Sequence, residues 1–166
     1  MRIFLMRHGE AQLPCAGMAD AQRPLSAAGR KQVGTLAHIL ATVLARRPLT
    51  LWSGSYERAV ETAEIIRSRV EVTSFGIHYG AGTGEARGLL PEIVQTATTE
   101  DVGIVGHTPF VEQWLYDWTG VRLSFSSPSL AVIQVPIPYE NRPSAQLLLY
   151  VDKGGLDILS YKERKM

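Results

Sequence analysis

Two short apolar runs, residues 2–6 (Arg-Ile-Phe-Leu-Met) and residues 101–106 (Asp-Val-Gly-Ile-Val-Gly), each stop at a polar cluster that contains a histidine. Runs of this length with almost no polar interruption read as strands buried on both faces, the kind found in parallel sheets covered by helices. In such sheets ligands gather outside the carboxyl ends of the strands. The first run feeds Arg7-His8-Gly9-Glu10 and the second feeds His107. The pattern therefore predicts an α/β fold with its chemistry on one sheet edge.

The segments between and beyond these runs fit that architecture. Ser26 is a plausible N-cap for a helix reaching about Arg46, with Val33, Leu36, Ala37, Leu40, Val43 and Leu44 as its apolar stripe. Pro48 ends it, Leu49–Trp52 is a short strand, and Ser53-Gly54-Ser55 turns into a second helix through about Arg69. A third strand is expected over 71–78, then a Gly-rich turn at 80–84 and a helix from about Gly84 to Thr98 that Pro91 disturbs. After the 101–106 strand, a helix is expected over 109–119 with proline in its first turn. From Leu130 the texture becomes β-rich, with Leu130–Val135 and Gln146–Val151 joined by a Pro-containing loop and 156–160 a candidate final strand. The expectation is a three-layer α/β/α sandwich whose central sheet is mainly parallel, with antiparallel strands late in the chain.

With 166 residues the chain suits one domain, and neither a linker nor a repeat divides 1–166. A net charge of +1 with mixed signs leaves no electrostatic footprint for nucleic acid or an anionic membrane. No run approaches the length of a membrane-spanning helix and no export signal is read at the N-terminus, so the expected location is the cytoplasm. Cys15 is the sole cysteine, which rules out an internal disulfide framework and a thiolate metal cluster. No spacing suggests three or four convergent metal ligands, so no metal or other cofactor is expected.

The chemistry rests on Arg7-His8-Gly9-Glu10, Arg58 and His107, distant in sequence but each just beyond a predicted strand. Phosphoryl transfer needs a nucleophile and cationic groups that hold the equatorial oxygens while charge redistributes. Arg7 and Arg58 could clamp a phosphate with planar forks that stay charged at any working pH, and His107 could add a donor. For His8 to attack phosphorus, one ring nitrogen must be unprotonated while the other donates to a fixed acceptor. Gly9 would let the chain turn sharply and bring backbone close to imidazole and phosphate.

The blocks Met6-Arg7-His8-Gly9-Glu10, Arg23-Pro24-Leu25-Ser26-x-x-Gly29, Arg58-Ala59-x-Glu61-Thr62-Ala63 and Gly106-His107-Thr108-Pro109 resemble the histidine phosphatase superfamily, in particular its short SixA-like branch. The resemblance runs in the family's order from residue 2 to about 135. It implies a phosphoglycerate mutase-like fold, a phosphohistidine intermediate on His8, and a phosphate pocket of Arg7, Arg58 and His107, without metal; Gly9 and Arg23 are further substrate-binding candidates. It also implies net hydrolysis by water and a phosphate-bearing substrate, such as a phosphohistidine-containing signalling protein. The mutase-type motif continues with Ser and a downstream Asn, whereas this chain reads Ala11-Gln12. Two departures stand out. Gly54-Ser55 replaces the family's Ser-Pro, and the general-acid carboxylate of many members has only Glu85 as a candidate here.

An alkoxide leaving group needs a positioned acid, an effect typically worth about 10²–10⁴-fold, whereas an imidazole is less demanding. A missing acid therefore favours protein phosphohistidine. Hydrolysis of small phosphomonoesters with Glu85 or Glu10 as the acid is the alternative, and a non-catalytic phosphate-recognition domain is a third. Several residues also have plainer readings. Arg58 could be a solvated helix residue paired with Glu57 or Glu61. His107 could be a helix-capping or core-satisfied histidine, and Arg23 could merely pair with Asp20. His38, His78 and Cys15 read as structural or exposed, Trp114, Tyr116 and Trp118 as helix packing, and Gly80, Gly82 and Gly84 as a turn rather than a phosphate loop.

Overall fold

The computed structural model describes residues 1–84, 101–136 and 145–156. In chain order the elements are β1 (Arg2–Arg7), a 3₁₀ turn (Asp20–Gln22), α1 (Ala27–Leu44), β2 (Leu49–Ser53), α2 (Glu57–Arg67), β3 (Val72–Ile77), α3 (Tyr79–Thr83), β4 (Asp101–Gly106), α4 (Phe110–Thr119), β5 (Ser129–Gln134) and β6 (Gln146–Val151). The strands form one six-stranded sheet in the order β3-β2-β4-β1-β5-β6. The pairs β3/β2, β2/β4 and β4/β1 are parallel, while β1/β5 and β5/β6 are antiparallel.

Strand alternation explains why residues 3–6 of β1 are all apolar. Ile3 and Leu5 join a core with Val102, Ile104, Val111, Trp114 and Leu115 under α4. Phe4 and Met6 face the other way, into a core with Leu36, Leu40, Leu51, Ala59 and Ala63 under α1 and α2. Successive side chains of a strand point to opposite faces, so a strand covered on both sides needs both sets apolar. The helices thus form two outer layers around the sheet, as the sequence led us to expect.

Helix α1 begins where Ser26 Oγ accepts the Gly29 backbone N–H at 2.9 Å, and it ends at Ala45 in the left-handed conformation (φ 51°). Val33, Leu36, Ala37, Leu40 and Leu44 are its buried stripe, whereas Val43 is half-buried. Each fully buried leucine contributes about 1.5–3 kcal/mol relative to an exposed one. Trp114 and Trp118 are buried and stacked at 6.2 Å, whereas Tyr116 is half-buried beneath Arg122.

Two local expectations are corrected. The Gly-rich segment at 80–84 is not simply a turn: Tyr79–Thr83 is a short helix, because His78 Nδ1 accepts the Gly80 N–H at 3.0 Å and Gly84 (φ 80°) closes it. Gly84 therefore ends a helix instead of starting one, and the rest of the helix expected to Thr98 lies outside the described residues. Residues 153–156 are helical rather than leading into a strand, with Asp152 Oδ1 accepting the Gly155 N–H at 3.0 Å. The remainder of the 156–160 strand also lies outside the described residues.

Candidate active site

Parallel pairing of β1 with β4 aligns Arg7 with Gly106, so the next residues, His8 and His107, emerge side by side. The His8 N–H extends the ladder to the Gly106 carbonyl at 3.2 Å, and the two imidazoles lie 4.8 Å apart between ring centroids. On the other side of β4, the register of β2 pairs Ser53 with Val105 and the Gly54 N–H continues to the Val105 carbonyl. The chain then turns through Gly54-Ser55-Tyr56 into α2, whose second residue is Arg58. Three separate strand ends thus deliver their side chains to one edge.

The protonation pattern of His8 follows from its partners. Nδ1 lies 2.7 Å from the Gly9 carbonyl, which can only accept, so Nδ1 carries the proton. Nε2 receives the Arg58 Nε–H at 3.2 Å, and a guanidinium can only donate, so Nε2 presents its lone pair. His8 is buried, and burial is the main cause that lowers its pKa to about 3. His107, Arg58 and Arg7 lower it further, against the opposing hydrogen bond to Gly9. Burial, Arg58 and Arg7 likewise bring His107 to about 4. Both rings are neutral at physiological pH.

The cationic groups are fixed by a scaffold that leaves part of their hydrogen-bonding capacity unused. Arg58 donates to the Asp20 carbonyl at 2.7 Å and to its carboxylate at 2.9 Å, with the guanidinium over the Tyr56 ring. It is buried, and Glu61 instead binds Arg30 and the Leu25 N–H, which removes the reading of Arg58 as a solvated surface residue. Arg7 donates through one terminal nitrogen to the Phe125 carbonyl, but its buried Nε has no partner. Both ring nitrogens of His107 are likewise buried without partners, so His107 is not a capping histidine. Buried donors are normally satisfied, and unsatisfied ones clustered at a cavity are what an anion would complete.

The cavity at this edge has a volume of about 310 Å³ and is lined by Arg7, His8, Glu10, Arg23, Arg58 and His107, with Ala11, Thr108 and Ser127. Arg23 both faces it and is held in place, by Asp20 at 2.7 Å and by the Gln12 carbonyl. Gly9 lies behind His8, where a Cβ would stand 2.6 Å from Val33 Cγ2 and 2.9 Å from a Leu25 methyl. Its role is close packing on α1, and its N–H donates to Thr62 Oγ1 at 3.0 Å. Gly54 also has a reason to lack a side chain, since a Cβ would come within 3.2 Å of His107 Nε2, the Ala81 carbonyl and Gly82 Cα. Glu85 lies outside the described residues. Among the described residues, no group of three or more His, Cys, Asp or Glu is placed to hold a metal ion, and no helix is long and apolar enough to cross a membrane.

Three contributors had no separate sequence signal. Ser127 donates to the His8 carbonyl at 2.6 Å from the loop before β5, Tyr56 packs its ring 4.6 Å from that of His107, and Lys153 pairs with Glu10 at 2.8 Å. Thr62 was visible as part of a motif, but its bridge between Gly9 and the Arg58 carbonyl was not. His78 and His38 stand apart from the cavity, and Cys15 is an exposed free thiol.

Comparison with known proteins bears on the fold and the family. Residues 3–79 match the model of the histidine phosphatase superfamily (branch 1). No curated protein sequence matches the chain. Among solved structures, the protein histidine phosphatase SixA complexed with tungstate superposes with a TM-score of 0.78 at 18% identity, covering 94% of this chain and 99% of that one. A protein assigned as phosphohistidine phosphatase SixA from Agrobacterium tumefaciens gives 0.76 at 21% identity, covering 92% and 98%. One assigned as an α-ribazole-5′-P phosphatase from Escherichia coli gives 0.68 at 17%, covering 90% and 96%. Residues 3–79 are thus similar to the histidine phosphatase superfamily, and the chain carries the fold of the SixA structures.

Proposed function

We propose that this protein is a phosphatase that transfers the phosphoryl group of its substrate to Nε2 of His8 and then to water. One observation carries this reading: His8, with Nδ1–H held by Gly9 and an unprotonated Nε2 that accepts from Arg58, lines a cavity together with Arg7, Arg58 and His107. The substrate's phosphoryl group sits among the two guanidinium groups and His107, with the unpartnered Arg7 Nε and a His107 nitrogen as donors to its oxygens. Attack by Nε2 forms a P–N bond and breaks the bond from phosphorus to the leaving group. The Gly9 carbonyl stabilises the cationic ring that results, and the Arg58 Nε–H moves from Nε2 to a phosphoryl oxygen. Water then attacks phosphorus and His8 leaves as the neutral base.

We further assign protein phosphohistidine as the substrate class. The proton requirement supports this. Glu10 is the only carboxylate lining the cavity among the described residues, and its hydrogen bond and ion pair with Lys153 hold its pKa below the usual value. An ionised Glu10 is no acid for an alkoxide, whereas a leaving imidazole can take its proton on the far nitrogen from solvent. The likeness to SixA structures points the same way, while the α-ribazole-5′-P phosphatase keeps small phosphomonoesters as the competing class. The test combines trapping of labelled phosphate on His8 with a panel of phosphohistidine proteins and alkyl phosphates. Labelling that persists in His8→Ala overturns the nucleophile, and equal turnover of alkyl phosphates overturns the substrate class.

A further inference from the structure

Glu10 reaches into the cavity, yet both of its carboxylate oxygens are occupied. Oε1 accepts from Ser26 Oγ at 3.2 Å and Oε2 from Lys153 Nζ at 2.8 Å. Lys153 comes from the far end of the chain. The helical turn after β6 presents it, and its backbone N–H is anchored on Ser126 Oγ at 2.8 Å, next to the Ser127 that holds the His8 carbonyl. His8 is buried, whereas the Glu10 side chain is 43% exposed and lines the same cavity. The groups facing Glu10 are Lys153 and Ser26 by contact, and Arg7, His8, Arg23, Arg58 and His107 across the cavity.

From this juxtaposition we propose that Lys153 is a specificity-determining residue: by pairing with Glu10 it withholds a cavity-lining carboxyl proton that an alkoxide would need, and so sets the preference for leaving groups that require no acid. The inference rests on the phosphatase reading above. The ester step it suppresses is balanced as follows. Nε2 bonds to phosphorus, the P–O bond breaks, and the alkoxide oxygen takes the proton of a neutral Glu10, which is restored from solvent. With Lys153 in place the ion pair favours the ionised form of Glu10. Without it, the carboxyl takes up a proton more readily in mildly acidic solution.

The test compares the wild type with Lys153→Met on two esters, p-nitrophenyl phosphate, whose leaving group needs little help, and glycerol 2-phosphate, whose alkoxide needs an acid. The readout is the ratio of kcat/KM for glycerol 2-phosphate to that for p-nitrophenyl phosphate from pH 5 to 8, which cancels general losses of folded protein. Lys153→Met is expected to raise the ratio at least about tenfold at pH 5–6, part of the 10²–10⁴-fold that a positioned acid supplies. Adding Glu10→Gln should abolish the gain. An unchanged ratio at every pH, or a gain that survives Glu10→Gln, overturns the proposal. A high wild-type ratio lost in Glu85→Gln also overturns it, because the acid would then be Glu85. Failure of the phosphatase reading is distinguishable, since the wild type would then turn over neither ester and take no label on His8.

Discussion

Arg58 Nε donates to His8 Nε2 at 3.2 Å, so the cation that would clamp the phosphate also keeps the proposed nucleophile unprotonated. Lysine at 58 would keep a positive charge but lose the planar fork that spans His8 and Asp20 together. Arg58→Lys should lower kcat/KM by about 10²–10³-fold, the usual cost of removing one preorganised donor to developing charge. Steady-state kinetics with p-nitrophenyl phosphate check this, and a loss below about tenfold would mean that Arg58 only holds Asp20.

The two buried histidines fix a pH dependence. With pKa values of about 3 for His8 and about 4 for His107, neither protonates on going from pH 8 to 5. After correction for the substrate's own ionisation, kcat/KM should show no limb from these groups until pH falls to about 4. Stability behaves differently. Between the ordinary value of 6.5 and these lowered values, the unfolded chain binds more protons than the folded one. Stability contributed by the two rings is therefore complete above pH 6.5 and is lost on acidification toward pH 3–4, by at most about 1.4 kcal/mol per pH unit for each histidine. Denaturant titrations at pH 7, 6 and 5 should show a falling midpoint, and His107→Asn should flatten the fall.

Gly29 belongs to the Leu25-Ser26-x-x-Gly29 block because α1 meets the active-site loop there. A Cβ at this position would stand 2.2 Å from the Glu10 carbonyl oxygen and 2.9 Å from its nitrogen, both of them backbone atoms that cannot rotate away. Alanine would normally favour a helix, so a large loss on Gly29→Ala would come from this clash alone. We expect destabilisation of about 1–3 kcal/mol or more together with loss of activity, as Glu10 and His8 are pushed from place. Thermal unfolding and His8 labelling measure the two effects, and a stabilised, active variant would contradict the close approach.

The apolar runs ending at His8 and His107 made the fold and most of the site legible, because adjacent parallel strands in register place equivalent ends together. Strands over 72–77, 129–134 and 146–151 also fall within a residue of their expected bounds. Other features left no local trace. Ser127 and Lys153 reach the site only because β5 pairs antiparallel with β1 and β6 in turn pairs with β5, a placement that no motif in those segments announces. The short helix at Tyr79–Thr83 looks like a turn in the sequence because glycine is a poor helix former, and the His78 cap that offsets this depends on one side-chain rotamer. Arg23 looked like either a substrate contact or a partner of Asp20, and the geometry allows both at once.

Thr62 is the buried hinge between the two halves of the site. Its hydroxyl accepts the Gly9 N–H at 3.0 Å and donates to the Arg58 carbonyl at 2.7 Å, so one oxygen joins the His8 loop to the first turn of α2. The residue is fully buried, and valine would fill the same volume while removing both bonds. The Gly9 N–H would then be left unpaired away from water, at a cost of about 1–3 kcal/mol. Because Gly9 also supplies the carbonyl that orients His8 Nδ1, the loss should reach catalysis as well. Thr62→Val is expected to lower both the denaturant midpoint and kcat, with KM changing less because Arg7, Arg58 and His107 still surround the phosphate. Thr62→Ser, which keeps the hydroxyl and gives up only a methyl group, should recover most of kcat; a serine variant as slow as the valine variant would assign the effect to packing and not to the hydrogen-bonded bridge.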